Sequence, residues 1–153
     1  MNSYQDREFW TSLTWPAAPN QDDYKIFEHY CLGRVLLLGS TRLLLPLCTE
    51  AWDLEPCYPD DKIKRRDWAE LDEHWDTIII DGGIAFGLEF TRRLLTAVLP
   101  NCDRFVARSF LNPTWKTKYA TWFPKAQDFD IVPTEHPVND IYTFYIWNKD
   151  QQY

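Results

Sequence analysis

"GRVLLLGSTRLLL", Gly33 to Leu45, sets four aliphatic residues in a row against one glycine and two small hydroxyl residues, then returns to leucine. An apolar run such as Val35 to Leu38, with no polar alternation, is the pattern of a strand buried on both faces in a parallel sheet. Gly39, Ser40 and Thr41 then suit either a tight turn or a loop whose backbone passes close to a ligand. The elements on either side decide between a core strand feeding a ligand loop and a core strand with a turn.

Directly upstream, "NQDDYKIFEHYCLG" (20–33) predicts a helix capped by Asn20, with Tyr24, Phe27, Tyr30 and Cys31 on one face and Gly33 suited to a left-handed stop. Downstream, "EAWDL" (50–54) reads as a second strand and "KIKRR" (62–66) as a third. "WDTIIID" (75–81) is a fourth, again apolar at successive positions. "IAFGLEFTRRLLTAVL" (84–99) has the length and period of a helix with Phe86, Phe90, Leu94 and Leu95 among its inward residues, and "DRFVARSF" (103–110) reads as a fifth strand. Alternating strand and helix predict an open, mostly parallel α/β sheet with right-handed crossovers.

The tail departs from that alternation. "DIYTFYIWN" (140–148) is bulky on both faces, with Ile141, Thr143, Tyr145 and Trp147 on one side and Tyr142, Phe144 and Ile146 on the other, so it needs cover on both. Only "TEHPVND" separates it from "FDIVP" (129–133), too short for a parallel crossover. The last strand is therefore antiparallel and inserts between the fifth and the sixth.

Composition bounds the rest. A length of 153 residues, 45% hydrophobic and 16% aromatic, fits one domain with an ample core. No repeat or Ser/Gly linker divides it. The expected organisation is a single domain over 1–153, with an N-terminal helical segment (1–32) and a core over 33–148. The apolar runs are short and "MNSYQDREFW" lacks a basic stretch followed by an apolar one, so neither a membrane span nor a secretion signal is expected. Four scattered cysteines without a CxxC pair point to reduced thiols and a cytoplasmic setting. With 23 acidic against 16 basic side chains, the formal charge of −7 opposes a phosphate backbone and disfavours nucleic acid as a partner.

Gly39, Asp53, Asp67 and Asp81 stand at the carboxyl ends of the first four strands. Ligands of open α/β sheets bind there, so the four converge on one candidate crevice. Each aspartate also has a plain reading as a turn residue or helix cap.

Together "VLLLGSTR", "AWDLEP", "RDW", "WDTIIIDGG" and "DRFVARSFLNP" resemble the Rossmann-like class I S-adenosylmethionine-dependent methyltransferases, over about residues 20 to 148. The resemblance implies an antiparallel last strand, as read from the tail. It also implies S-adenosylmethionine as cofactor. Gly39, Ser40 and Thr41 would pass the methionine part, Asp53 with Leu54 would take the ribose hydroxyls, and Asp67 the adenine amino group with Trp68 beside the ring. Asp81 and Gly82 would border the sulfonium and the acceptor, with Asp81 as the catalytic candidate. Asp81 read alone is equally a helix cap or a partner of its own loop amides. Arg108, ending the fifth strand, meets an anionic acceptor or pairs with an acidic loop. The chain departs from the family in lacking the acidic residue at the end of the first strand and the repeated glycines of the first loop.

The successive intervals Gly39 to Asp53, Asp53 to Asp67 and Asp67 to Asp81 are 14 residues each, where a complete crossover unit needs roughly 30. These crossovers are therefore shortened, and Pro46 and the two prolines of "EPCYPDD" break helix there. One thinly covered sheet face predicts a homodimer, with a contact at Leu43 to Leu47 or around Phe9 and Trp10. His29, His74 and His136 have no metal-ligand spacing, and no nucleophile elbow is present. In "WKTKYATWFPK", Trp115, Tyr119 and Trp122 follow helical spacing and predict a packed helix with solvated lysines. The expected activity is methyl transfer to a small-molecule acceptor. The alternatives are a binding or scaffolding subunit with a closed pocket, and a domain for a different nucleotide.

Overall fold

The apolar run is a strand buried at all four positions, β1, Val35–Leu38. In the computed structural model, which describes residues 19–82, 88–133 and 142–151, six more strands follow. They are β2 (Glu50–Trp52), β3 (Ile63–Lys64), β4 (Trp75–Asp81), β5 (Cys102–Phe110), β6 (Asp130–Pro133) and β7 (Tyr142–Asn148). They form one seven-stranded sheet in the order β3-β2-β1-β4-β5-β7-β6. Every pair from β3 to β5 is parallel, and β7 runs antiparallel to both β5 and β6. The tail strand therefore sits where its two bulky faces require, between β5 and β6.

Helix α1, Gln21–Tyr30, begins on a reciprocal capping box in which Asn20 Oδ1 accepts from the Asp23 amide and Asp23 Oδ2 accepts from the Asn20 amide, both at 3.0 Å. Such a pair satisfies two of the four amides a helix start leaves unbonded. Gly33, at φ +65°, turns the chain into β1, and a Cβ there would run into the Asp76 carboxylate. Alternate residues of the central strands feed two cores. Leu36, Leu38, Ile78, Ile80, Phe105 and Trp147 meet helix α2 (Leu88–Val98) through Phe90, Leu94, Leu95 and Val98. Val35, Leu37, Ile79, Val106, Phe144 and Ile146 meet Phe27 of α1 and Leu44 and Leu45.

The shortened crossovers are real. A 3-10 helix, Arg42–Leu47, carries the chain from β1 to β2 with Pro46 inside it, and no helix lies in 53–62 between β2 and β3. Leu44 and Leu45 are buried within the protein and Leu47 packs half-buried against the same core, which leaves Pro46 exposed and Leu43 half-buried in the expected contact segment. Phe9, Trp10, Gly83, Phe86, His136 and Ile141 lie outside the described residues. The helix expected over 115–122 differs from expectation at its far end: Trp115 and Tyr119 are buried, but Trp122 is 56% exposed. The Tyr119 amide bonds the Thr114 carbonyl five residues back at 2.9 Å, a wider turn that rotates Trp122 off the apolar face.

Candidate functional site

Parallel strands β1 to β5 end at one edge, and the first loop there is anchored from both sides. The Gly39 amide donates to the Trp52 carbonyl at 2.8 Å, while Gly39 itself takes φ +111° with nothing within 4 Å of where a Cβ would stand. A side chain is thus disfavoured by the backbone and absent from an open space. Ser40 Oγ donates to Asp53 Oδ2 at 2.6 Å, Asp53 Oδ1 accepts from the Glu55 amide at 2.9 Å, and Tyr58 OH donates to the Ser40 carbonyl at 2.8 Å. The Arg42 guanidinium lies 4.0 Å over the Tyr58 ring. Thr41 precedes the 3-10 helix without capping it, and Leu54 is half-buried beyond Asp53. The structure therefore brings Gly39, Ser40 and Asp53 together from two strands, with a serine hydroxyl on the carboxylate that two vicinal hydroxyls would suit.

Asp67 is a cap. Its Oδ1 accepts from the Ala69 amide at 2.9 Å, its own amide donates to Glu70 Oε2 at 2.9 Å, and the side chain is buried at the start of the 3-10 helix Trp68–Glu70. The Trp68 indole is buried. It packs into the α2-side core, edge-on to Phe90 at 6.1 Å, because the turn that Asp67 caps directs it inward.

At the ends of β4 and β5, Asp81 and Arg108 are direct sheet partners. Arg108 Nε donates to Asp81 Oδ1 at 2.7 Å and Nη2 to Oδ2 at 3.4 Å, while Nη1 donates to Asp23 Oδ2 at 3.1 Å. Gly82, at φ +102°, turns away and donates its amide to the Arg108 carbonyl at 2.7 Å. Arg108 is only 1% exposed and lies 4.6 Å over the Tyr142 ring. Its carboxylate partners lie on β4 and helix α1 rather than in a loop. Asp81 accepts from this arginine through both of its oxygens. Asp23 escaped the sequence reading because "NQDD" signals only a cap; its partner lies 85 residues away.

The opposite, amino edge holds a separate group. His74 Nε2 is 3.3 Å from Asp103 Oδ2, and with Asp76 their ligand-type atoms lie within 4.8 Å of one another, all exposed. A cavity of about 380 Å³ there is lined by Asp76, Asp103, Arg104 and Asn148 among others, away from the carboxyl edge. Asp76 already accepts the Arg34 amide at 2.7 Å. Among the described residues no helix is long and apolar enough to cross a membrane.

No protein-family model matches the chain, and no curated protein sequence does. Solved structures do. Magnesium protoporphyrin IX methyltransferase from Synechocystis, solved with bound S-adenosylmethionine, is similar with a TM-score of 0.53 at 14% identity, over 82% of this chain and 74% of that one. A putative RNA methyltransferase from Pyrococcus horikoshii gives a TM-score of 0.53 at 13% identity, over 82% and 78%. An rRNA methylase from Streptococcus thermophilus gives 0.51 at 10% identity, over 89% and 99%. The fold is therefore the Rossmann-like fold of class I S-adenosylmethionine-dependent methyltransferases, as the motif order implied.

Proposed function

We propose that the chain binds S-adenosylmethionine at the carboxyl edge of its sheet and transfers the methyl group to a small-molecule acceptor. The observation that carries this reading is the Gly39–Ser40–Asp53 arrangement. A left-handed glycine faces open space, and beside it a carboxylate ends β2 already holding a hydroxyl. These residues fit the cofactor. Asp53 accepts the two ribose hydroxyls in place of Ser40 Oγ, the loop 39–41 and Leu54 lie along the nucleoside and methionine parts, and Asp67 with the Trp68 backbone frames the adenine. When bound, the cofactor supplies a methyl group on a positively charged sulfonium.

The protein's own task is alignment, which converts an encounter of two molecules into a reaction within one complex. Asp81 and Gly82 border the reacting atoms, with Asp81 held in one orientation by Arg108. Because that carboxylate is already engaged, it shapes and polarises the site, and Arg108 acts through it as a positioning residue. The charge of −7 supports a small acceptor over a phosphate polymer, although similar folds include RNA enzymes. Thin cover beyond β2 supports a homodimer. Light scattering at micromolar concentration should give twice the chain mass of 18.3 kDa, and a monomer mass would contradict it.

Titration calorimetry tests the cofactor assignment. S-adenosylhomocysteine should bind one-to-one while ATP and NAD do not compete. Preference for either nucleotide favours the other-nucleotide domain. No binding by the folded chain favours the scaffolding subunit.

A further inference from the structure

Resting on that reading and deepening it, we propose that Asp23 accepts the primary ammonium at the amino-acid end of the cofactor. Asp23 is fully buried. Its Oδ2 receives both the Arg108 guanidinium at 3.1 Å and the Asn20 amide at 3.0 Å, but its Oδ1 is buried with no hydrogen-bond partner among the described residues. Buried carboxylate oxygens are otherwise bonded, so an unbonded one marks a donor to be supplied.

Charge points the same way. Among the described residues, the guanidinium that charges the cluster around Asp23 is shared with Asp81. A second cation that carries N–H donors completes it. A primary ammonium is compact and has three such donors. A bare metal ion would need several oxygens where one is open.

Position makes the cofactor the source. The register Leu38↔Ile80 sets Gly39 beside Asp81 one step further along. Asp81 holds Arg108, and Arg108 holds Asp23, so Asp23 stands two side chains from the open space at Gly39. The end of β1 offers only Leu38 and Gly39, so no carboxylate there competes for the ammonium. Helix α1 thus supplies from outside the sheet what the strand end lacks.

The test is calorimetry with S-adenosylhomocysteine, its desamino analogue and 5′-methylthioadenosine, which lacks the whole amino-acid end. The wild-type chain should bind the desamino analogue at least about tenfold more weakly than S-adenosylhomocysteine. Asp23→Asn keeps the cap and one accepting oxygen. It should lose about tenfold for S-adenosylhomocysteine while changing less than about twofold for the other two ligands. Equal wild-type affinity for S-adenosylhomocysteine and the desamino analogue overturns the assignment of Asp23 and leaves the cofactor reading standing, and the same holds if the variant weakens all three ligands alike. Failure of the wild-type chain to bind S-adenosylhomocysteine or 5′-methylthioadenosine overturns both. Should the variant not fold, the wild-type comparison decides alone.

Discussion

Arg108→Met should lower the unfolding free energy by about 3–5 kcal/mol, the usual loss when one partner of a buried ion pair is removed. The guanidinium is 1% exposed and the side chains it joins, Asp23 and Asp81, are 1% and 5% exposed. Without it, the buried Asp23 and Asp81 carboxylates lose the guanidinium that bridges them. Against a typical total of about 5–15 kcal/mol, this is a large part of the stability. Urea denaturation should show the midpoint falling with an unchanged slope. A change below about 1 kcal/mol would mean that water reaches the cluster. The companion result separates stability from function: Asp23→Leu, Arg108→Met and Asp81→Leu together should regain most of the loss, since apolar replacement of a whole buried ion cluster is often neutral or stabilising. That recovery would mean that the cluster is kept for something other than stability, in keeping with its place at the proposed ligand edge.

How much of this was legible in the sequence depended on distance along the chain. β1 and β4 were readable because strands buried on both faces announce themselves as unbroken aliphatic runs. β7 was placed correctly because its seven buried or half-buried residues demanded a central position. The prolines at 46, 56 and 59 gave the shortened crossovers. Trp122 was misread because helical spacing assumes one period throughout, and a single wide turn at Tyr119 breaks it. The Asp23–Arg108 pair was out of reach altogether, since its separation of 85 residues is closed only by the packing of α1 on the sheet.

The second large effect falls on Asp53. This carboxylate ends β2, and its two oxygens face the Ser40 hydroxyl and the Glu55 amide. Removing it leaves Ser40 and Glu55 near the surface, where water can satisfy them, so the fold should persist. A ribose diol bound there would lose its charged acceptor, and we take the net loss as that of one hydrogen bond to a charged group, about 1.5–3 kcal/mol, because water replaces part of the contact. Titration of S-adenosylhomocysteine into wild-type and Asp53→Ala protein, with the folded state checked by circular dichroism, reads this directly. Affinity should fall by about ten- to 150-fold in a folded variant. An unchanged affinity in a folded variant would contradict a cofactor site built on Asp53.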